Sequence, residues 1–158
     1  MATTSLWKFK SRLKDLIDYV SDYKKTNDKI YVSGINCLPN IAYQEMMNTK
    51  NQFFKTDSIE CFHGYQSFVS GEVTPEQAHE IGIKLAQILW GNKYQVLVAT
   101  HLNTENIHNH FVLNSVSFKD GKRFTNSNKD YNNMRNTSDN LCKEYGLSIL
   151  PSKYDYSK

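Results

Sequence analysis

Apolar and polar positions along this chain switch between a helical period and an alternating one, and the switches mark out its elements. Leu13, Leu16, Ile17 and Val20 recur at helical spacing, which predicts an amphipathic helix from Ser11, a candidate N-cap, to about Lys25. Pro39-Asn40 opens a second helix over residues 41–51. Thr74-Pro75-Glu76-Gln77 supplies a capping Thr, a Pro at the first helical position and a Gln that can close a capping box. Ile81, Leu85, Ile88 and Leu89 carry that helix on as an apolar stripe to Gly91. A last helix spans residues 130–145, with Tyr131, Met134, Leu141 and Tyr145 on one side and Gly146 at its end. Strand-like runs fall at residues 5–10, 30–36, 59–69, 94–100 and 107–118, and a short return at 122–124 follows the Asp120-Gly121 turn.

Strands interrupted by helices, with a late hairpin, predict an α+β fold. The expected architecture is an antiparallel sheet of about five strands, with helices packed mainly on one face and the other face free to carry a site. The 158 residues suit one domain, placed at residues 1–150, with a tail at 151–158 expected to fray. The chain reads as an N-terminal fragment of a longer protein.

Charge changes this picture little. The net charge is only +3, so bulk electrostatics do not announce a nucleic acid. The basic residues nevertheless cluster, at Lys8, Lys10, Arg12 and Lys14 and again at Lys119, Lys122 and Arg123. Each cluster is either part of a positive groove or a solvated surface, and charge alone does not separate the two. Cys37, Cys61 and Cys142 are widely spaced and odd in number, with no Cys-x-x-Cys pair, which fits a reducing cytoplasm. No run approaches the ~18 apolar residues of a membrane span, and no signal-peptide core opens the chain. A cytoplasmic protein without a membrane segment is expected.

The candidate chemistry lies in His101-Leu-Asn-Thr-Glu-Asn-Ile-His108-Asn-His110, which holds three of the 5 histidines. Residues two apart on a strand share a face, so His108 and His110 point the same way, roughly 7 Å apart at their Cα atoms. A hairpin through residues 102–106 brings His101 beside them. Three imidazoles with open positions suit a catalytic metal ion better than a structural one. The plain alternative is a set of packed or surface histidines. A divalent ion beside a basic groove suits phosphate chemistry, which also needs a nucleophile. Tyr19 and Tyr23, four apart, share a face of the first predicted helix, and either could be that nucleophile or a packing ring.

These residues carry a resemblance to the relaxase domain of conjugative and mobilizable elements, of the plasmid-mobilization and T-DNA type, within the HUH endonuclease class. Four segments hold it, in order, over residues 2–150: Leu16-Ile-Asp-Tyr19-Val-Ser-Asp-Tyr-Lys-Lys25-Thr26; Tyr31-Val-Ser-Gly-Ile-Asn-Cys37; His63-Gly-Tyr-Gln-Ser67-Phe68 with Gly71 to His79; and His101 to Asn114, continuing to Phe124. The resemblance implies site- and strand-specific nicking of DNA at an origin of transfer, leaving a 5′-phosphotyrosine on the protein and a 3′ hydroxyl. It implies Tyr19 as nucleophile, His101, His108 and His110 as ligands of Mg²⁺ or Mn²⁺, and single-stranded or hairpin DNA with accessory relaxosome proteins as partners. Tyr23, Lys25, Ser67, Asn103, Asn114, Lys122 and Arg123 are the accompanying candidates for DNA contact or for support of the ligands. Three departures from the family pattern stand out. Asn109 occupies the usually hydrophobic middle of the histidine pair, Asn103 stands where Asp is frequent, and Tyr23 stands where Pro is frequent. By ligand softness, three neutral imidazoles suit Mn²⁺, Ni²⁺ or Zn²⁺ better than Mg²⁺. A rolling-circle replication initiator of the same chemistry, a non-catalytic DNA-binding relative and a metallohydrolase using bound water are the alternatives.

Overall fold

A computed structural model describes residues 1–56 and 59–149. The tail at 151–158 and residue 150, the end of the expected domain, lie outside the described residues. Five strands, β1 (Ala2–Phe9), β2 (Val32–Ile35), β3 (Cys61–Phe68), β4 (Val96–His101) and β5 (His108–Asn114), form one sheet in the order β1-β3-β5-β4-β2. Every neighbouring pair is antiparallel. The helices are α1 (Leu13–Val20), α2 (Ala42–Gln52), α3 (Pro75–Trp90) and α4 (Asn128–Glu144), and a single 3-10 turn, Pro39–Ile41, leads into α2. The α+β class and the antiparallel five-stranded sheet are those expected from the pattern.

Alternation along the strands gives the sheet two faces. On one, Leu6, Phe62, Val96, Val98, Phe111 and Leu113 pack against Ala78, Ile81, Leu85 and Trp90 of α3 and Met134 and Leu141 of α4. The two long helices therefore share a face. Gly82 permits the close approach of α3 to the sheet, because a Cβ there would lie 2.6 Å from Asn109 Nδ2. On the other face, Cys61, Leu97, Ala99 and Val112 take the stripe of α1 (Leu13, Leu16, Ile17, Val20) and Met46 of α2. Each such aliphatic side chain contributes roughly 1.5–3 kcal/mol of burial. These shorter helices cover only part of the second face. The remainder carries Trp7, His63, Tyr65 and the three histidines of β4 and β5.

Several element ends differ from the expected ones. α1 begins at Leu13 with Arg12 rather than Ser11 at its N-cap, and that cap makes no side-chain bond. Instead, Leu13 N donates to Glu60 Oε2 at 2.6 Å, so a carboxylate from the approach to β3 satisfies the positive end of the helix. α1 also stops at Val20, short of Lys25. Asp22 Oδ1 accepts from Lys24 N at 2.8 Å, and Asn27, Asp28 and Lys29 take positive φ, so local side-chain bonds and left-handed residues turn the chain out of the helix. β5 ends at Asn114 rather than 118. Beyond it the return expected at 122–124 is a single bridge, Val116 to Arg123. α4 starts earlier than residue 130, at a Ser127–Asp130 capping box.

Candidate metal centre and nucleophile

The β4–β5 hairpin sets His101 directly opposite His108 and Ala99 opposite His110. All three imidazoles project from the partly covered face, and one ring nitrogen from each lies within 4.8 Å of the others. Their ring centroids stand 4.2 Å (His101–His110), 4.9 Å (His108–His110) and 5.2 Å (His101–His108) apart. His101 and His110 are buried, and His108 is half-buried at the rim.

The second nitrogen of each ring determines which one is left for the centre. His101 Nε2 donates to the Val20 carbonyl at 2.8 Å, one of the unpaired carbonyls at the C-terminus of α1, leaving Nδ1 free. His108 Nδ1 donates to the Asn106 carbonyl at 2.9 Å, leaving Nε2 free. His110 Nδ1 is bonded to His63 Nε2 at 2.8 Å, and its own Nε2 is buried with no partner. A buried, unpartnered imidazole nitrogen facing two others is costly unless something binds it. Burial, seconded by the neighbouring rings, pushes His101 down to about 4 and His110 to about 2, so both hold neutral lone pairs at physiological pH. The donor set, three imidazoles with one orphaned nitrogen, fits a divalent metal ion.

Tyr19 closes the site. It sits in the last turn of α1, half exposed, with its ring 6.0 Å from both His101 and His110. The Lys25 ammonium lies 3.8 Å over that ring, and the Lys25 carbonyl accepts from Leu102 N at 2.7 Å, tying the turn after α1 to the residue following His101. Tyr23, expected on the same helix face as Tyr19, lies beyond the helix end in an exposed turn.

The remaining candidates scatter. Ser67 stands opposite His108 on β3, at the rim of the centre. Asn103 is exposed in the turn between β4 and β5. Asn114 is fully buried; its Nδ2 donates to Gln95 Oε1 at 2.9 Å and to the Met46 carbonyl at 3.2 Å. That places it in the frame joining α2 to the sheet, and neither expected role, a ligand support or a DNA contact, fits a side chain so placed. Lys122 and Arg123 are exposed but follow the far end of β5, about 20 Å along the strand from His108. A separate basic stretch at the end of β1, Lys8, Phe9, Lys10, Ser11 and Arg12, lines an open cleft of about 780 Å³ with Ile59 and Glu60.

Asn109, the polar residue between the two histidines, faces α3 and is fully buried and fully bonded. Its Nδ2 donates to Gln66 Oε1 at 3.0 Å and to the Ala78 carbonyl at 2.8 Å, and its Oδ1 accepts from Thr100 Oγ1 at 2.5 Å. Since the Thr100 hydroxyl is donated there, His79 Nδ1 must donate to Thr100 Oγ1 (2.8 Å), leaving His79 Nε2 to accept from Ser33 Oγ (2.7 Å). Gln66 Nε2 donates to Ser138 Oγ at 2.8 Å. One connected network thus backs the histidine strand from β2 to α4. Two residues of the open face were not foreseen as site residues. His63 touches His110, and Trp7 packs its ring 4.6 Å from His63 and 5.8 Å from Tyr65. His63 was visible only as a letter in the third motif; its contact depends on β3 lying next to β5, which no local pattern encodes.

Comparisons with known proteins place the fold and the family. A protein named Protein rlx from Staphylococcus aureus is 38% identical over 149 residues, covering 94% of this chain and 45% of the relative. The group II intron-interrupted relaxase LtrB of Lactococcus lactis is 30% identical over 178 aligned residues, 87% of this chain and 31% of that protein. The chain therefore spans less than half the length of these relatives. A solved structure described as the molecular basis of vancomycin resistance transfer in Staphylococcus aureus shares the fold, with a TM-score of 0.65 at 15% identity, over 96% of this chain and 97% of that one. The family model for the relaxase nuclease domain of MobA/VirD2 type matches residues 19–147, and it begins at the half-exposed tyrosine that closes the histidine centre: the chain belongs to the MobA/VirD2-like relaxase nuclease-domain family.

Proposed function

We propose that this chain is the catalytic domain of a DNA relaxase, which nicks one strand at an origin of transfer through Tyr19 and so starts conjugative transfer or mobilization. One observation carries the reading. Tyr19, open to solvent, packs its ring near both His101 and His110, whose orphaned Nε2 supports a metal ion bound there. A metal ion held by His101 Nδ1, His108 Nε2 and His110 Nε2 would polarise a non-bridging phosphate oxygen and offset the charge that builds on it. The chain's residues do the rest. Tyr19 Oη attacks phosphorus, the P–O3′ bond breaks, the 3′ oxygen takes a proton, and the 5′ phosphate stays on the tyrosine. Half-exposed, Tyr19 can surrender its proton to solvent and meet an incoming strand. The Lys25 ammonium over its ring provides a cation beside the arriving phosphate. Imidazole ligands favour Mn²⁺ over Mg²⁺ at this centre.

The DNA is single-stranded, or a hairpin with a single-stranded flank, because an unpaired phosphate must reach a recessed centre. The uncovered half of the sheet offers it a path. From Ser67 and the triad the strand runs over Tyr65 and Trp7, which supply aromatic surface for bases, toward Lys10 and Arg12 beyond the end of β1. Accessory relaxosome proteins would present that strand, and the place of action would be the cytoplasm. Among the described residues no helix is long and apolar enough to cross a membrane. The test is incubation with labelled single-stranded oligonucleotides from candidate transfer origins and Mn²⁺, followed by a denaturing gel. A covalent protein–DNA adduct is expected. Cleavage without an adduct would point instead to hydrolysis by water, and binding without cleavage to a non-catalytic relative.

A further inference from the structure

Each histidine of the triad has an outer partner, and the three partners are not alike. His101 and His108 donate to backbone carbonyls, of Val20 and Asn106, which can only accept. Their tautomers follow without ambiguity. His110 meets a side chain instead, His63, at 2.8 Å between two ring nitrogens, either of which could carry the shared proton. If His63 donated, the proton of His110 would sit on Nε2, aimed among the lone pairs of the triad. If His110 donates through Nδ1, its Nε2 lone pair is exposed to the centre, and His63 keeps its own proton on Nδ1. Only the second arrangement lets three lone pairs converge.

From this geometry we infer that His63 is a positioning residue of the metal centre: its Nε2 accepts from His110 Nδ1 and so turns His110 Nε2 toward the ion. The inference rests on the reading of the triad as a metal site. Three further observations support it. The His63 ring is clamped, 4.6 Å from Trp7 and 6.1 Å from Phe9, and lies near-parallel to His110 at 5.1 Å and 28°. His63 is itself buried, so no water competes freely for its acceptor nitrogen. Asn103, where a carboxylate could have oriented a ligand, is exposed in the hairpin turn. An imidazole in this outer place keeps the assembly neutral where a carboxylate would add charge.

The experiment uses the 158-residue chain and Mn²⁺ alone, with affinity read from the electron paramagnetic resonance signal of free Mn²⁺. His63→Phe fills the same space without an acceptor and should weaken Mn²⁺ binding by about 10- to 100-fold. His63→Gln, whose amide oxygen can accept, should restore much of the loss. The unmutated, metal-free protein gives an independent reading: ¹⁵N histidine spectra should find His110 protonated at Nδ1. A His63→Phe variant that is folded and binds Mn²⁺ as tightly as the parent, or a His110 protonated at Nε2, overturns the inference. If the parent itself binds no Mn²⁺, the triad reading fails, and this one with it.

Discussion

His101 and Val20 lie on different elements, yet His101 Nε2 donates to the Val20 carbonyl at 2.8 Å, so the first triad histidine is fastened to the residue after Tyr19. One bond thereby orients the His101 imidazole and anchors the helix end that carries the tyrosine. Tyr23 lies beyond the end of that helix, in an exposed turn. We expect Tyr19→Phe, which removes only a hydroxyl, to abolish the covalent adduct while leaving Mn²⁺ and oligonucleotide binding within about twofold of the parent, well under 1.4 kcal/mol. Tyr23→Phe should keep the adduct. Peptide mapping of the adduct decides between them, and a label on Tyr23 would transfer the role.

Metal should stabilise the fold through His110. A ligand that binds only the native state adds about 2.7 kcal/mol at a hundred times its dissociation constant. The melting temperature of the parent should therefore climb with Mn²⁺, and chelation should reverse the rise. His110→Ala should melt at one temperature whatever the Mn²⁺ concentration. A variant whose melting still responded to the ion as the parent does would place the centre elsewhere.

The middle residue of the histidine pair makes a stability prediction. A hydrophobic residue at 109 would match the commoner family pattern, but here Asn109 satisfies Gln66, Thr100 and the Ala78 carbonyl inside the core. Asn109→Leu would strand buried groups at about 1–3 kcal/mol each and crowd Gly82, whose own absent Cβ marks how tightly α3 sits there. We expect a loss of roughly 2–4 kcal/mol in denaturant unfolding. Unchanged stability would mean that the network contributes nothing net.

Acid should weaken the metal-free fold earlier than carboxylates alone would. Burial holds His63 and His101 at about 4 and His110 at about 2, against an ordinary value of 6.5, and His79 moves the same way. As pH falls below 6.5 the unfolded chain takes up protons that the folded chain refuses, so stability drops. The full contribution is present above that pH and declines progressively on the way to 4 and below. Each ring adds a slope of up to about 1.4 kcal/mol per pH unit. Urea unfolding at pH 7, 6 and 5 in a chelator should show the decline, and a flat profile would contradict neutral, buried rings at His63, His101 and His110.

Much of this molecule was legible before its structure. Thr74 to Gln77 carried α3's start in four letters, because a capping box is a local exchange of bonds between neighbouring groups. The His-x-His spacing fixed a shared face, because strand period is local too. The end of α1 was not legible: apolar spacing ran on plausibly, whereas the bonds around Asp22 and the left-handed Asn27 to Lys29 stopped the helix. His63 and Trp7 were illegible for a different reason. Their roles arise from β3 being inserted between β1 and β5, an order that only the assembled sheet reveals. Asn114 shows the converse, a motif residue whose place in the family pattern said nothing of its burial.

Trp7 and the basic end of β1 should contribute to DNA binding in separable ways. Trp7 is 38% exposed on the open face, its ring against His63 and Tyr65, so an unpaired base can stack on it. Stacking is worth about 1–3 kcal/mol per base and depends little on salt. Lys10 and Arg12 line the cleft beyond Phe9, and a cation there acts by displacing counterions from phosphates. Trp7→Ala should therefore weaken single-stranded binding by a nearly constant factor at every ionic strength, with Trp7→Phe close to the parent. Lys10→Gln with Arg12→Gln should instead flatten the slope of log K against log salt, by about 0.7 for each phosphate no longer neutralised. Fluorescence anisotropy of a labelled oligonucleotide across a salt series reads both quantities at once. If the Trp7 variant changed the slope and the double variant left it unchanged, the strand would not follow this path.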